Sequence, residues 1–116
     1  MNYRFYLPIL ILLCTFTSAH GSTDGPTILG AGAMSCGEWI EFREMKNEEI
    51  NNMIVAWFQG FLSGMNTQGV LMTKKEMVII PDPPTLLAYV DKGCKDSPLD
   101  MVLSISIRLY QDIQKK

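Results

Sequence analysis

The sequence predicts a small all-α domain of four helices stapled by one disulfide. Apolar residues recur at intervals of three and four along most of the chain after residue 35, the spacing typical of amphipathic helices. Ser, Asn and Asp stand just before these periodic segments, where side chains cap helix N-termini. Two cysteines, Cys36 and Cys94, lie outside the apolar N-terminal segment. With 116 residues, the chain suits a single domain with one core.

The N-terminal residues 1–21 have the pattern of a cleaved secretory signal. Arg4 supplies the positive charge, "FYLPILILLCTF" is an apolar stretch too short to span a bilayer, and "TSAHG" places small residues before a cleavage point. We expect cleavage after Ala19 or Gly21, with a retained anchor as the alternative. The mature protein is therefore expected to be exported to the periplasm.

The next residues, 22–34, read "STDGPTILGAGAM" and are small and glycine-rich. We interpret them as a flexible leader. The helical domain is then expected to occupy residues 35–116.

The first predicted helix covers residues 36–45. Ser35 followed by Glu38 is a capping-box pattern, in which each residue satisfies a free backbone N–H of the other. Trp39 falls on the apolar side and is predicted to anchor the core.

The second predicted helix covers residues 48–66, begins after the cap residue Asn47 and ends over residues 66–69. It carries the widest apolar stripe of the chain. Its predicted core residues are Ile54, Trp57 and Phe61.

Ala56, Gly60 and Gly64 recur every four residues within that helix and therefore share one face. Each glycine costs about 1 kcal/mol relative to alanine in a helix interior, so a reason for it is needed. We interpret the three as a helix-packing face that lets a neighbouring helix come close. The alternative is a polar ligand site, for which the stretch offers few donors and acceptors.

Residues 70–80, "VLMTKKEMVII", are apolar with a charged centre and fit a loop, a short strand or a partial helix. Methionine side chains are flexible and suit adaptable binding surfaces. We consider this segment a candidate partner surface, with simple burial as the alternative. Its candidate contact residues are Val70, Leu71, Met72, Met77 and Val78.

A third helix is predicted over residues 83–94. Asp82 caps it and Pro83 takes its first position, where proline is favoured. Leu87 and Val90 are its predicted core residues.

A fourth helix is predicted over residues 98–113. Ser97 is the expected cap, and Pro98 the expected first residue. Its predicted core residues are Leu99, Leu103 and Leu109.

Cys36 and Cys94 are expected to form a disulfide, because two cysteines in a small exported domain meet an oxidising compartment. A loop of this length would stabilise the fold by roughly 4 kcal/mol in the chain-entropy description. The alternative is a reactive free thiol. Neither cysteine has a neighbouring histidine, since the only one, His20, lies at the cleavage site.

The sequence contains no pattern that indicates catalysis. It has no nucleophile-elbow serine, no cluster of metal-ligand residues and no phosphate-binding loop. We therefore predict a non-enzymatic protein without metal or cofactor. A formal charge of −2 argues against nucleic-acid binding, and no membrane contact is expected after signal cleavage.

Three stretches, "MSCGEWIEF", "AWFQGF" and "LLAYVDKGCKDSPLD", give the chain its resemblance to a known family. Together they resemble the HdeA/HdeB family of small periplasmic acid-stress chaperones over about residues 35–110. The family pattern is a Ser/Thr-Cys-x-Glu-aromatic start, a tryptophan in an apolar helix, and a second cysteine before a polar-x-Pro step. The matching positions here are Ser35, Cys36, Glu38 and Trp39; Trp57; and Cys94, Ser97 and Pro98.

This resemblance implies an all-helical fold with a Cys36–Cys94 disulfide. It also implies a homodimer at neutral pH that loosens in acid and binds unfolding client proteins through apolar surface. The glycines of "GFLSGMN" and the apolar character of residues 70–80 depart from the family pattern.

The stretch "WFQGFLSG" is also similar to the W-x-x-G-x-L-S-G pattern of the Tai-type immunity proteins. Those are exported helical proteins that neutralise cell-wall amidase toxins. This second resemblance implies a stoichiometric inhibitor of one dedicated enzyme. A structural subunit of the cell envelope is the third hypothesis.

Overall fold

A computed structural model describes residues 28–116, which form a short 3-10 helix and four α-helices. The 3-10 helix is Gly30–Ala33, and the α-helices are α1 (Cys36–Glu44), α2 (Glu48–Thr73), α3 (Pro83–Asp96) and α4 (Val102–Gln114). The predicted all-α, four-helix fold is therefore confirmed. The predicted signal, residues 1–21, lies outside the described residues.

The predicted disulfide is present and joins α1 to α3. The sulfur atoms of Cys36 and Cys94 are bonded, their Cα atoms are 4.8 Å apart, and both residues are fully buried. The bond closes a loop between residues 58 positions apart. Closing a loop of that length stabilises the fold by about 4 kcal/mol.

Helix α1 begins as the sequence predicts. The Ser35 backbone N–H donates to the Glu38 carboxylate at 2.8 Å, and the Glu38 N–H donates to the Ser35 hydroxyl at 3.2 Å. Trp39 is fully buried and meets the Phe58 ring edge-to-face, with ring centroids 5.8 Å apart. The capping box thus sets the helix start that directs Trp39 into the core.

Helix α2 is seven residues longer than predicted and does not end at residues 66–69. Asn47 caps it as expected, accepting from the Ile50 N–H at 3.2 Å. Asn66 stays helical because its amide is satisfied by tertiary partners, and the helix ends at Lys74 in the left-handed conformation (φ 53°). The last helical residues therefore include the first part of the ambiguous segment 70–80.

Helix α3 follows its predicted cap. Asp82 accepts from the Thr85 N–H at 2.9 Å, with Pro83 in the first turn. The helix runs two residues past the predicted end. Leu86, rather than the predicted Leu87, is the fully buried leucine, whereas Leu87 is half-buried against the core.

The predicted start of α4 at Pro98 is wrong, because the helix begins at Val102. Ser97 instead ends α3, its N–H donating to the Gly93 carbonyl. Backbone groups of residues 100–102 pair with residues 34–36: the Cys36 N–H donates to Asp100 and the Val102 N–H to Met34. These bonds occupy the groups that an earlier helical turn would need.

The core lies between the four helices. Of the predicted core residues, four are buried: Trp39, Ile54, Val90 and Leu109. Four are half-buried: Trp57, Phe61, Leu87 and Leu103. The prediction for Leu99 is wrong, since it is 100% exposed in the turn before α4.

The described end of the predicted flexible leader is packed rather than free. Ala31 and Gly32 are buried, and the Trp57 indole N–H donates to the Leu29 carbonyl at 2.9 Å. A Cβ at Gly32 would collide with the Trp57 ring, so glycine is needed for this close approach. The expectation of a flexible leader is therefore wrong for residues 28–34, and residues 22–27 lie outside the described part.

Candidate protein-binding surfaces

The candidate partner segment is exposed where α2 ends. Four large apolar side chains project there: Leu71 (76% exposed), Met72 (76%), Met77 (63%) and Ile79 (90%). We call these four residues the apolar tip. Of the predicted contact residues, Leu71, Met72 and Met77 belong to it, while Val70 and Val78 are half-buried.

Asn66 holds residues 77–79, the second part of the apolar tip, in place. Its amide donates to the Val78 carbonyl at 2.9 Å and accepts from the Val78 N–H at 3.0 Å. The Tyr110 hydroxyl donates to the same Asn66 oxygen at 3.2 Å. Since these bonds turn Val78 toward the core, its neighbours Met77 and Ile79 remain outside.

Two shallow grooves flank the apolar tip. One, of about 530 Å³, runs between residues 75–79 and the end of α4 near Ile113 and Lys116. The other, of about 200 Å³, lies between Met72 and Tyr110. Lys75 and Gln114 border both grooves, which are therefore adjacent.

A third groove, of about 370 Å³, is almost wholly apolar and lies beside Trp57. The 3-10 helix, the end of α1 and the start of α2 surround it. Trp57 stacks on Phe61 with ring centroids 5.1 Å apart, which fixes the groove wall. Met53, 70% exposed, stands at its rim.

The predicted helix-packing residues Ala56, Gly60 and Gly64 are together on one face, as expected, but no helix of the described chain packs on them. All three are exposed, and a Cβ added at either glycine would meet nothing within 4 Å. The prediction is thus wrong for contacts within residues 28–116.

The exposed side of α2 has a further property that the sequence analysis missed. Along the helix, the residues turned away from the core form one stripe, which we call the outer face: Glu49, Met53, Ala56, Gly60, Ser63, Gly64, Thr67 and Leu71. From Ile50 to Thr73 the sequence contains no charged residue. That gap in charge was visible in the sequence and is the signal that would have found the face.

A polar cluster ties α1 to α3 at the other side of the core. The Asp91 carboxylate accepts from the Trp39 indole N–H at 2.8 Å and from Arg43 Nε at 3.0 Å. Arg43 also donates to the Asn51 side chain on α2 at 2.8 Å. The cluster therefore joins residues from three helices.

Three carboxylates at helix ends prefer the charged form. Hydrogen bonds from Ser35 lower the pKa of Glu38, and hydrogen bonds from Thr85 lower the pKa of Asp82. A hydrogen bond from the Tyr89 hydroxyl lowers the pKa of Asp112. Burial and the hydrogen bond to Asp112 raise the pKa of the Tyr89 hydroxyl to about 12. A carboxylate whose pKa is lower in the folded state stabilises the fold at any pH above its unfolded-state pKa. This stabilisation is lost as the pH falls through the pKa of the folded state.

Residues 28–116 contain no cluster of three His, Cys, Asp or Glu side chains able to hold a metal ion. Among the same residues, no helix is long and apolar enough to cross a bilayer.

Comparison with protein-family models, with curated proteins and with solved structures finds no match to this chain.

Proposed function

We propose that this protein is a non-enzymatic, exported acid-stress chaperone of the HdeA/HdeB type, which binds unfolding proteins through apolar surface. The apolar tip is the observation that carries the proposal. Four large apolar side chains are each at least 63% exposed, and a buried hydrogen-bonded asparagine holds the 77–79 segment that carries two of them. Exposed apolar groups of this size mark contact surfaces.

The acid response has a physical basis in where the carboxylates lie. Helix starts depend on Glu38 and Asp82, and Asp91 joins α1 to α3. Protonation of Glu38 and Asp82 removes the charge that their hydrogen-bonded partners favour, while Lys and Arg keep theirs. The resulting positive charge loosens the packing, and the disulfide limits how far the chain opens.

The decisive measurement is suppression of client aggregation by the oxidised mature protein. Aggregation of an acid-unfolded client is followed by light scattering near about pH 2 to 3, while dye binding and size are followed from about pH 7 downward. We expect dye binding to rise and aggregation to fall in the same pH range. A chain that remains native and leaves aggregation unchanged there would exclude the chaperone function.

A pair of matched variants tests whether the apolar tip is needed for client binding. Met77→Ser with Ile79→Ser removes apolar area from the tip without touching the buried core. Leu99→Ser, at a fully exposed leucine far from the tip in sequence, is the control. Aggregation suppression is expected to fall in the first protein and to remain in the second.

The acid trigger is tested with Asp91→Asn, which keeps an acceptor for Trp39 but removes the charge facing Arg43. Dye binding should then begin at a higher pH than in the unmodified chain. Asp96→Asn is the control, because Asp96 is exposed and pairs only with Lys92 among the described residues. Equal curves for both variants would remove Asp91 from the mechanism.

A second candidate, a Tai-type immunity protein that inhibits one cell-wall amidase, is favoured by the state of the chain in which the apolar tip is exposed. The apolar tip is already exposed in the folded chain, as a dedicated neutral-pH partner would require. Stoichiometric inhibition of an amidase at neutral pH, abolished by Met77→Ser with Ile79→Ser, would support this function. Its absence against a panel of such enzymes would count against it.

A further inference from the structure

We propose that the sulfur atoms of Met72 and Met77 are a modification site, at which hydrogen peroxide or a related hydroperoxide forms methionine sulfoxide and switches off the apolar tip. The inference deepens the proposed function, on which it rests for the idea that the tip binds client proteins. It adds a class of reactant, the hydroperoxides, and the two atoms that receive its oxygen.

The methionines of residues 28–116 fall into two groups by exposure. Five are between 45% and 76% exposed: Met45, Met53, Met72, Met77 and Met101. The other two, Met34 and Met65, are half-buried against the core. Because a dissolved oxidant must reach the sulfur atom to react with it, the exposed group is oxidised before the half-buried one.

No free thiol competes for the oxidant within the described part of the chain. Its two cysteines, Cys36 and Cys94, are joined in the disulfide and fully buried. An accessible thiolate is ordinarily the sulfur group that oxidants attack. Since both cysteine sulfurs are bonded and covered, the exposed thioethers are the reactive sulfur atoms of residues 28–116.

The modification is a two-electron transfer of oxygen. A lone pair of the methionine sulfur attacks one oxygen of hydrogen peroxide, so that an S–O bond forms and the O–O bond breaks. The second oxygen leaves as hydroxide and takes up the proton of the S–OH group, which yields water and the sulfoxide. Sulfur is oxidised and the peroxide is reduced. A reductase supplied with a dithiol reverses the change, because two thiols provide two electrons and two protons and the oxygen leaves as water.

Oxidation changes two of the four side chains of the apolar tip. A thioether is apolar, whereas a sulfoxide is polar and accepts hydrogen bonds from water. Met72 follows Leu71 directly near the end of α2, and Met77 lies two residues before Ile79. Each oxidation therefore places a hydrated group close in the chain to one of the two remaining apolar side chains.

The fold does not depend on either of these sulfur atoms. Both side chains are largely exposed, so neither fills the core. The bonds that hold residues 77–79 join the Asn66 amide to the backbone of Val78. Oxidation thus changes the surface and leaves the helices and the disulfide in place.

The first test is the order in which the methionines of the mature, disulfide-bonded protein are oxidised by hydrogen peroxide at neutral pH. Peptide mass spectrometry should show Met72 and Met77 reacting at least about fivefold faster than Met34 and Met65. The reduced, urea-unfolded chain is the control, in which all four should react at similar rates. Equal rates in the folded chain would overturn the site.

Matched leucine variants test whether these two sulfur atoms control the tip. Met72→Leu with Met77→Leu keeps the tip apolar but removes its thioethers. Met45→Leu with Met101→Leu is the control, because it removes two exposed thioethers outside the tip. After peroxide treatment, the first protein should keep its suppression of client aggregation in acid, and the control should lose at least about half, like the unmodified chain. Equal losses in the two variants would contradict the proposal.

A polar replacement tests the effect without an oxidant. Met72→Gln with Met77→Gln places an uncharged polar group of similar length at each position. This variant should suppress aggregation as poorly as the peroxide-treated chain, while circular dichroism shows unchanged helicity. Treatment of the oxidised original with methionine sulfoxide reductases and a dithiol should restore its activity. A glutamine variant as active as the original would exclude the switch.

Retention on a hydrophobic-interaction column at neutral pH separates this inference from the proposed function, because it measures apolar surface without a client. If peroxide shortens the retention of the original but not of the Met72→Leu, Met77→Leu variant, the modification site stands even when no form protects a client. In that case only the chaperone function fails. If the original suppresses aggregation equally before and after complete oxidation of Met72 and Met77, the chaperone function stands and the switch is overturned.

Discussion

Both sides of α2 lack charge between Ile50 and Thr73, yet they take opposite positions in the structure. On the inner side, Ile54, Phe58 and Leu62 are buried, and Phe58 and Leu62 are fully so. On the outer side, Met53 and Leu71 are largely exposed on either side of two open glycines. Apolar periodicity therefore marks the core side of this helix, whereas the outer side carries no charge between Ile50 and Thr73 and stays exposed.

The largest expected difference between the sides is in folding stability. Leu62→Ala should lower the free energy of unfolding by about 3 kcal/mol, because it removes a fully buried side chain and leaves a cavity. Leu71→Ala, on the exposed side, should change it by no more than about 0.5 kcal/mol. Denaturant unfolding at low protein concentration measures both. Equal losses would mean that the outer side is also part of the monomer core.

A smaller effect is expected at the one buried amide of the inner side. Asn66→Ala should lower the free energy of unfolding by about 2 kcal/mol, because the Val78 backbone and the Tyr110 hydroxyl lose their shared partner. Hydrogen exchange at Val78 should accelerate as well. Thr67→Ala, one residue along on the exposed side, is the control and should leave both quantities almost unchanged.

Substitution of a glycine on the outer side should change the folding stability in the opposite direction. Gly60→Ala should raise the monomer's free energy of unfolding by about 1 kcal/mol, because alanine is the better helix former and the space is open. Gly93→Ala should lower it, since a Cβ there would press on the Ile105 side chain. Thermal unfolding of the two variants gives opposite shifts in Tm if the contrast is right. A loss of stability in Gly60→Ala would indicate an intrachain contact at that position.

The smallest expected effect is on the pH dependence of folding stability, and it arises at the start of α1 rather than on α2. Hydrogen bonds from Ser35 lower the pKa of Glu38, so its stabilising contribution is present above the unfolded pKa and disappears as the pH falls through the folded value. Glu38→Gln should therefore be slightly less stable than the original at pH 7. The two proteins should become equally stable in stronger acid. A difference that persists at low pH would assign the effect to geometry rather than charge.

Local chemistry explains which helix boundaries were predicted correctly. The starts of α1 and α3 follow from Ser35 and Asp82, whose side chains bond to N–H groups three residues away. The start of α4 could not be predicted in this way, because the backbone of residues 100–102 pairs with a segment more than sixty residues earlier. A helix cap can be predicted from residues that are close in the sequence. The backbone hydrogen bonds that prevent an earlier start of α4 form only when distant segments meet in the folded chain.

The same distinction applies to the candidate surfaces. Exposure of Met77 was one of the alternatives that the sequence left open, and the outcome depended on Asn66 binding Val78 from twelve residues away. The packing of Gly32 against Trp57 was missed because a glycine-rich stretch looks the same whether it is loose or in close contact. The lack of charged residues on α2 between Ile50 and Thr73, in contrast, can be seen in the sequence without any tertiary information.

The disulfide gives the chain the topology of a ring with a tail. The covalent loop from Cys36 to Cys94 contains all of α2 and the exposed residues 74–77, while α4 lies beyond it. A protease that cuts after Lys74 or Lys75 opens this ring but releases no fragment, since the two pieces remain joined through sulfur. A protein nicked at this exposed segment would thus retain both halves of its core until a reductant reached a bond that is itself fully buried.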